Sequence, residues 1–277
     1  VVVGVGGYAA GPVCLAARIL GIPVCLQEQN SLPGITNRLL ARVARRIYTS
    51  FTESNHHFPA KKVMLAGNPV RDEIIALGRQ PFERESDRPF TVLVAGGSQG
   101  ARSINTAIID MLAHIDDPES LQLIHQCGAE DHARVRHAYE GTGVTARVEA
   151  FFNDMDRQYA QADLVVCRAG ATTVAELTCI GLPAIFIPFP YAADNHQEIN
   201  ARSVVSAEAG EMIIETELNA RDLWQRIRQL RDNPTRREDM ARRARALGRP
   251  EAAATIVADI FRHVLQPVPD ARRPTTG

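Results

Sequence analysis

Long apolar stretches are missing from this sequence of 277 residues. A helix that crosses a bilayer needs about 20 consecutive apolar residues, and no run in the chain is long enough. A surplus of one charge is missing as well, because 31 basic residues stand against 32 acidic ones. With a formal net charge of −1, no global field draws the chain to nucleic acid. The sequence therefore predicts neither a membrane-spanning helix nor a nucleic-acid partner.

Patterns typical of disulfide frameworks, metal sites and hydrolases are also missing. The five cysteines are odd in number, dispersed and without a CxxC pair, which favours reduced, mostly buried thiols in a cytosolic protein. The adjacent His56 and His57 have no spaced partner, and no HExxH occurs. No G-x-S-x-G elbow is present either. We expect no metal and no cofactor.

Short β-branched runs alternate with stretches of helical length. The predicted strands are 1–5, 22–26, 62–65, 91–95, 121–125, 164–167 and 184–187. The predicted helices include 36–47, 103–113, 173–180, a basic pair broken at 232–234, and 251–265. Nearly continuous apolar strands separated by helices are typical of parallel sheets that are covered on both faces. The sequence predicts an α/β fold, which binds ligands at the carboxyl ends of its strands.

The polar stretch 78–90 carries two prolines and no periodicity, so it predicts a linker between two α/β units. The first unit has about three predicted strands, few for a doubly wound sheet, and the chain opens on a strand that runs into a glycine loop. We expect the front of the first domain to be absent. The predicted domains are 1–70, against which 251–265 packs, and 71–250; the tail 266–277 is predicted to be disordered.

The stretch TVLVAGGSQGARSIN, 91–105, is a predicted strand, a glycine loop and a helix. Glycines let backbone amides approach a ligand closely, and a helix N-terminus adds partial positive charge, which suits phosphate. The alternative is an ordinary tight turn in which Ser98 caps the helix. The residues alone leave both interpretations open.

The stretch DLVVCRAGATTVAELTCIGLPAIFIPFP, 163–190, repeats the arrangement. Glu176 follows Thr173 by three residues, which matches a T-x-x-E capping box, and the residues alone favour that interpretation. The alternative is functional: Glu176 lies at the mouth of a ligand site, where its carboxylate accepts two neighbouring hydroxyls of a ribose.

Three further polar stretches follow predicted strands. Arg71 ends GNPVR, either as an exposed hinge residue or near a diphosphate. Glu28 lies in QEQN, where it contacts a ligand or pairs with a local arginine. Gln197 lies in PFPYAADNHQEINA beside His196 and Asn200, which form either a solvated helix start or a set of donors and acceptors for a sugar.

Four arginines cluster within the predicted helix 36–47, namely Arg38, Arg42, Arg45 and Arg46. A solvated basic face on a packed helix is the commoner interpretation. The alternative is electrostatic attachment to anionic lipid.

Taken in order, the stretches GVGGYAAGP, QEQN, GNPVR, GGSQGARSIN, CRAGATTVAE, GLPAIFIPFP and ADNHQEINA resemble the motifs of the MurG family of bacterial glycosyltransferases. The resemblance runs from residue 1 to about residue 265. It implies a GT-B fold, in which two Rossmann-like parallel-sheet domains face each other across a cleft, here with the first domain incomplete.

The resemblance implies an inverting transfer of GlcNAc from UDP-GlcNAc to the C4 hydroxyl of undecaprenyl-pyrophosphoryl-MurNAc-pentapeptide, lipid I to lipid II, in peptidoglycan synthesis. It implies a peripheral enzyme on the cytoplasmic face of the inner membrane, with an anionic membrane surface as a partner. Because the front of the first domain is expected to be missing, we expect the chain by itself to transfer little or no sugar.

The resemblance also implies roles for single residues. Those expected to bind UDP-GlcNAc are Asn30, Arg71, Ser98, Phe152, Ala171, Thr172, Thr173, Val174, Ala175, Glu176 and Gln197. Among them Glu176 takes the ribose hydroxyls, and Phe152 lies where the family holds uracil through the backbone. The loop Gly6, Gly7 and Tyr8 is expected at the acceptor's diphosphate. Glu28 is the candidate general base.

Other functions remain open on sequence alone. Another GT-B UDP-sugar transferase or a UDP-sugar epimerase shares the nucleotide site but lacks the pair GGYAAGP and QEQN. A NAD-dependent oxidoreductase needs a strict dinucleotide fingerprint with an acidic residue about twenty positions on, which GGSQGA does not supply. The last alternative is a non-catalytic fragment that binds a UDP-sugar.

Overall fold

The computed structural model describes residues 1–79, 88–192 and 195–265. The chain divides into two compact units, Val1–Pro69 with Arg249–Gly277, and Val70–Gly248. The predicted linker 78–90 does not separate the two units, because the division falls at residues 69 and 70 and the second unit already includes the helix Asp72–Gly78. Residues 80–87 of that stretch and the predicted disordered tail, 266–277, lie outside the described residues. Each unit has a parallel sheet of its own.

The first unit contains a four-stranded parallel sheet in the order β1-β2-β3-β4. Its strands are β1 (Val2–Gly4), β2 (Val24–Glu28), β3 (Arg46–Thr49) and β4 (Val63–Leu65). Its helices are α1 (Ala10–Ile19), α2 (Ile35–Leu40) and a C-terminal helix (Ala252–Asp259) that continues as a π-helical turn (Ile260–Val264).

The predicted helix 36–47 is wrong in its second half. Helix α2 ends at Leu40, and Arg46–Thr49 is the strand β3. Ile47 and Tyr48 are completely buried in this strand, which lies between β2 and β4. Because β-branched and aromatic side chains suit a buried sheet position, packing overrides the helical spacing of the apolar residues. The first unit therefore has four strands, where three were predicted.

Asp259 ties the C-terminal helix to the first sheet. Its carboxylate accepts hydrogen bonds from Arg46 Nε at 2.8 Å, Arg46 Nη2 at 3.1 Å and Tyr48 Oη at 2.9 Å. Arg46 therefore does not belong to a helical basic face. Its guanidinium forms an ion pair with Asp259 inside the first unit.

The second unit contains a six-stranded parallel sheet in the order β10-β9-β8-β5-β6-β7. Its strands are β5 (Phe90–Ala95), β6 (Leu121–Gln126), β7 (Thr145–Glu149), β8 (Leu164–Cys167), β9 (Ala184–Phe186) and β10 (Glu211–Met212). The two edge strands were not predicted, because β7 has no fully buried residue and β10 has only two residues.

Helices cover the second sheet. They are α3 (Asp72–Gly78), α4 (Arg102–Met111), α5 (His132–Ala138), α6 (Met155–Gln161), α7 (Ala171–Ile180), α8 (His196–Ser206), α9 (Ala220–Asp232) and α10 (Pro234–Leu247). The predicted break at 232–234 is confirmed. Pro234 opens α10, and the side-chain oxygen of Asn233 caps it by accepting the backbone N–H of Arg236.

The order of strands in the second sheet reverses between β5 and β8. From β5 the chain moves outward through β6 to β7, and it then returns to the other side of β5 through β8, β9 and β10. The adjacent strands end together, since Ala95 lies opposite Cys167. This is the switch point at which open α/β sheets bind ligands.

Four of the five cysteines are buried, as expected, the fifth is partly buried, and all five are free thiols in this structure. Across residues 1–79, 88–192 and 195–265, each helix is too short or too polar to cross a membrane.

Candidate functional site

A cavity of about 670 Å³ opens at the switch point of the second unit. Five of the predicted site residues line it, namely Arg71, Ser98, Thr173, Glu176 and Gln197. The other predicted residues of this unit lie beside it. Phe152 follows the lining residue Phe151, and Ala171, Thr172, Val174 and Ala175 share α7 with Thr173 and Glu176. The structure thus brings the predicted residues of this unit together.

The glycine loop after β5 is a tight turn rather than a helix cap. Gly100 donates its backbone N–H to the carbonyl of Gly97 at 3.0 Å, and both glycines have positive φ. A side chain at position 100 would meet the carbonyl oxygen of Cys127 at 2.2 Å. Helix α4 begins at Arg102 with Ala101 at its N-cap, so the interpretation of Ser98 as the cap is wrong. Ser98 lies exposed on the loop, facing the cavity.

The capping-box interpretation of Glu176 is also wrong. Helix α7 begins at Ala171 with Gly170 as the N-cap, so Thr173 already lies inside the helix and Glu176 lies in its second turn. The extended backbone of Gly170, at φ −63° and ψ 144°, lets the helix start three residues earlier than the motif suggests. Glu176 is therefore available for other partners.

Two side chains from other elements hold the carboxylate of Glu176. The hydroxyl of Tyr159, on α6, donates to Oε2 at 2.9 Å. A guanidinium nitrogen of Arg71 lies 3.6 Å from Oε1. Burial raises the pKa of Glu176 above its ordinary value, and the contacts with Tyr159 and Arg71 offset part of that shift. A nearly buried carboxylate with one side toward a cavity is suited to accept hydroxyl hydrogen bonds.

Two sources of positive charge lie on the same cavity as this carboxylate, the Arg71 guanidinium and the N-terminus of α7. Arg71 is the N-cap of α3, and its side chain is 55% exposed, so the guanidinium can reach an anion in the cavity. The first amides of α7, at Ala171, Thr172 and Thr173, have no acceptor inside their own helix, and the helix dipole makes this end partially positive. Such a helix end binds phosphate groups readily.

Phe152 follows Phe151, which lines the cavity. Its ring is buried beneath the guanidinium of Arg147, 5.0 Å from the ring centroid. Its N–H donates to the side-chain oxygen of Gln126 at 2.9 Å. A contact between the Phe152 backbone and a base therefore falls to its carbonyl, and a carbonyl is the partner that the N3–H of uracil requires.

Gln197 lies near the start of α8, where its side-chain oxygen accepts the backbone N–H of Phe189 at 3.0 Å. The contact positions the loop after β9, because Phe189 also lines the cavity. Asn200, one turn further along α8, is fully buried and donates to the carbonyl of Ala169. The polar residues of this stretch thus brace the two loops that border the cavity.

Among the lining residues that sequence reasoning missed are Gln126, Tyr159 and Arg168. Gln126 and Arg168 come at or directly after the carboxyl ends of buried strands, and a polar residue there is a signal that could have identified them. Tyr159 carries no such signal, because an aromatic residue on a short helix is typical of the core.

The predicted residues of the first unit follow β1 and β2. Glu28, the last residue of β2, is 3% exposed. Its Oε1 accepts the backbone N–H of Asn30 at 3.0 Å, and its Oε2 accepts Asn37 Nδ2 at 2.8 Å. These contacts make Glu28 an anchor of the loop after β2, and its role as a general base stays a prediction.

Gly6, Gly7 and Tyr8 follow β1 at the same edge of the first sheet, since β1 pairs in parallel with β2. Both glycines have positive φ, at +89° and +77°, and Tyr8 is 98% exposed. The backbone of this loop is open to a ligand. Its contact with an acceptor diphosphate stays a prediction.

Comparison with known proteins agrees with this architecture. Residues 91–256 match the glycosyltransferase family 28 C-terminal domain, and residues 1–49 match the glycosyltransferase family 28 N-terminal domain. Together with the two parallel sheets and the cavity at the switch point, these matches define a glycosyltransferase of the GT-B class.

Two relatives with similar sequences narrow the class of glycosyltransferase further. A UDP-N-acetylglucosamine--N-acetylmuramyl-(pentapeptide) pyrophosphoryl-undecaprenol N-acetylglucosamine transferase from Myxococcus xanthus (strain DK1622) is 48% identical over 261 residues, which cover 94% of this chain and 67% of that protein. A protein of the same name from Anaeromyxobacter sp. (strain K) is 48% identical over 280 residues, with coverage of 99% and 72%.

A solved structure supports the same assignment. The crystal structure of Acinetobacter baumannii MurG matches with a TM-score of 0.79 and 35% identity, over 94% of this chain and 74% of that one. The chain belongs to the MurG family of glycosyltransferases. The predicted family and fold class are confirmed.

Proposed function

We propose that this chain transfers GlcNAc from UDP-GlcNAc to the C4 hydroxyl of undecaprenyl-pyrophosphoryl-MurNAc-pentapeptide, the conversion of lipid I to lipid II. The observation that carries the proposal is the convergence of Glu176, Arg71 and the N-terminus of α7 on one cavity. A carboxylate beside a cation and a helix N-terminus matches the two chemistries of a nucleoside diphosphate, a ribose diol and a diphosphate.

The donor is proposed to lie across the switch point. Glu176 accepts the ribose hydroxyls, and the carbonyl of Phe152 accepts the uracil N3–H. The diphosphate lies between the glycine loop with Ser98 and the amides that open α7, within reach of Arg71. Gln197, near the start of α8, contacts the amino sugar.

The reaction is proposed to invert the anomeric centre. The C4 oxygen of the acceptor attacks the anomeric carbon, a C–O bond forms, and the bond from that carbon to the β-phosphate oxygen breaks with its electron pair going to UDP. The hydroxyl proton passes to a base, for which Glu28 is the predicted residue. Charge grows on the leaving diphosphate, where fixed amide dipoles and Arg71 stabilise it.

Calorimetric titration of the chain with UDP-GlcNAc tests the donor site. We expect Glu176→Ala and Arg71→Ala each to weaken binding by about tenfold or more, since each removes a charged partner. The exposed residue Arg221 on α9 supplies a matched control, and Arg221→Ala is expected to bind as the parent does. A parent that does not bind UDP-GlcNAc, or variants that bind it equally well, would contradict the assignment.

Transfer is tested separately with labelled UDP-GlcNAc and a lipid-linked MurNAc-pentapeptide. Whatever the amount of lipid-linked product, the proposed function requires its label to be joined to C4 of the muramyl residue in the β configuration. Retention of the α configuration of the donor would contradict the inverting mechanism.

We also propose that the protein attaches peripherally to the anionic cytoplasmic face of the inner membrane. What supports this is a surface on and after α2, where Ile35 and Leu39 are 64% and 63% exposed and Arg38 and Arg42 are exposed beside them. Apolar side chains flanked by cations are typical of surfaces that insert shallowly into anionic lipid.

Co-sedimentation with vesicles tests this surface. We expect binding to phosphatidylglycerol vesicles but not to phosphatidylcholine vesicles, and loss of binding in Arg38→Glu/Arg42→Glu. The exposed Arg221, in the other unit, serves as the matched charge reversal. Equal loss in Arg221→Glu would indicate a general charge effect and contradict a defined surface.

A further inference from the structure

We propose that Tyr159 is a positioning residue of the nucleotide site, whose hydroxyl holds one oxygen of Glu176 so that the other oxygen faces the ribose. The inference rests on the proposed function, in which Glu176 accepts the ribose hydroxyls. It concerns a residue that contributes through another side chain rather than through the sugar-transfer chemistry.

The two partners of Glu176 differ in how firmly they are held. Tyr159 is 4% exposed, and its hydroxyl lies within hydrogen-bond distance of Oε2. Arg71 has a long side chain that is 55% exposed, and its guanidinium lies 3.6 Å from Oε1. The phenol is therefore a fixed donor, whereas the guanidinium is a mobile one.

This difference matters when a diphosphate enters the cavity. Arg71 then has a second anion to pair with, and a guanidinium binds phosphate in the same forked geometry as carboxylate. If the guanidinium turns toward the diphosphate, Glu176 loses Arg71 as a partner and keeps the Tyr159 hydroxyl. A carboxylate in a nearly buried position needs such a donor, because an unpaired buried charge is costly.

The oxygen that Arg71 leaves is the one that points to the ligand. With Oε2 held by Tyr159, the remaining rotation of the carboxylate is restricted, and Oε1 presents its lone pairs to the ribose. The tyrosine thus supplies both the orientation and part of the ionisation of Glu176. Loss of the hydroxyl is expected to affect recognition of the ribose rather than of the whole nucleotide.

The pH dependence of binding gives an independent readout. The titratable groups that face Glu176 are Tyr159 on α6, Arg71 at the start of α3 and the buried thiol of Cys167 on β8. Burial raises the pKa of Glu176, and the Tyr159 hydroxyl lowers it. Without the hydroxyl, the carboxylate should take up a proton at a higher pH. As the pH is lowered, UDP binding to the variant should therefore begin to weaken at a higher pH than binding to the parent.

The experiment compares UDP with 2′,3′-dideoxy-UDP in the parent and in Tyr159→Phe, by calorimetry across pH 5 to 8. We expect the substitution to weaken UDP binding by about tenfold, to leave 2′,3′-dideoxy-UDP binding within about twofold, and to move the acidic fall of UDP affinity to higher pH. Both ligands carry the same diphosphate, so titration of the phosphate cancels. Tyr139→Phe removes another buried hydroxyl of the same unit, which bonds to His125, and is expected to change neither affinity.

The outcomes separate the two proposals. A parent that binds UDP no tighter than 2′,3′-dideoxy-UDP overturns the ribose role of Glu176, and with it this inference. A parent that discriminates while Tyr159→Phe discriminates equally well, or weakens for both ligands alike, overturns the role of Tyr159 alone. If Tyr159→Phe does not fold, a crystal structure of the parent with UDP decides. The inference requires the Tyr159 hydroxyl on Oε2 and a ribose hydroxyl on Oε1, and a tyrosine hydroxyl bonded to the nucleotide itself would overturn it.

Discussion

The side-chain oxygen of Gln126 accepts the backbone N–H of Phe152 at 2.9 Å. The amide nitrogen of the same side chain donates to the carbonyl of Gly97 at 3.0 Å. One glutamine at the end of β6 therefore joins the loop proposed to hold uracil to the loop proposed to hold phosphate. A single side chain thus bonds to the backbone of both loops.

Gln126→Leu should lower both stability and nucleotide affinity. The substitution keeps the size of the side chain but leaves the buried N–H of Phe152 without its acceptor, which costs about 1–3 kcal/mol. We expect a loss of unfolding free energy in that range and weaker binding of UDP-GlcNAc, measured by denaturant unfolding and calorimetry. Gln122→Leu on the same strand is the control, expected to change stability by less than about 0.5 kcal/mol. Unchanged affinity in Gln126→Leu would contradict the role of this bridge.

The glycines of the phosphate loop should differ in their tolerance of alanine. Gly97 and Gly100 both have positive φ, but a Cβ at position 97 would meet nothing within 4 Å, whereas one at position 100 would meet the carbonyl of Cys127. Gly97→Ala should therefore cost only the backbone strain, about 1–2 kcal/mol. Gly100→Ala should cost more and should also weaken UDP-GlcNAc binding, because the loop must move.

Gly141 supplies the reference for these two variants. It has a similar positive φ, also with open space around a Cβ, and lies outside the cavity. Gly141→Ala should match Gly97→Ala in unfolding free energy and the parent in affinity. A Gly100→Ala variant as stable as Gly97→Ala would show that the contact with Cys127 relaxes without cost.

Much of the second unit could be predicted from sequence, because its central strands are buried on both faces. A short, continuous apolar run such as β8 is typical of a central strand in a parallel sheet. Strand β3 could not be predicted in this way, since Leu39, Leu40, Val43 and Ile47 also fit helical spacing. The choice between helix and strand depended on burial between β2 and β4, which is a tertiary property.

The candidate site likewise combines residues that could be predicted from sequence with contacts that could not. Ser98, Arg71 and Glu176 were identified because they match family motifs, yet local rules assigned two of them to the wrong roles. Glu176 fitted a capping box until the start of α7 placed it in the second turn. Its partner Tyr159 lies 17 residues away in sequence and reaches it only through packing of α6. No spacing rule contains that contact.

Asp259 should make the first unit sensitive to acid. Burial by itself would raise the pKa of Asp259, but the hydrogen bonds from Arg46 and Tyr48 outweigh it, and the net shift is downward. A carboxyl whose folded pKa is depressed contributes stability above its unfolded pKa and loses that contribution as the pH falls through the folded pKa. We expect thermal unfolding of the first unit to shift to lower temperature below about pH 4.

Asp259→Asn tests this at constant pH. In either orientation of the amide, its NH2 group faces an N–H of the Arg46 guanidinium, so we expect a loss of about 1–3 kcal/mol at pH 7 and a flatter dependence on acid. The exposed Glu53 in the same unit gives the control Glu53→Gln, expected within about 0.5 kcal/mol of the parent. An acid dependence equally steep in Asp259→Asn would assign the effect to other carboxylates.

Lysine should not be able to replace Arg168, although it keeps the positive charge. Its guanidinium donates to the carbonyls of Ile187 and Pro188 at 3.0 and 3.1 Å, and it also contacts Ser103, Glu215 and the ring of Phe189. A lysine ammonium is a point charge without the planar fork that makes these contacts together.

Arg168→Lys should therefore release the loop after β9 while the net charge of the site stays the same. We expect a loss of about 1–3 kcal/mol in unfolding free energy and weaker binding of UDP-GlcNAc, because Phe189 and the neighbouring Gln197 line the cavity. Arg221→Lys, at an exposed position, controls for the chemistry of the exchange and should match the parent in both measurements. If Arg168→Lys retained parental affinity, charge alone would suffice at this position, and the combined contacts of Nη1 with Ile187 and Pro188 and of Nη2 with Ser103 would have no part in forming the site.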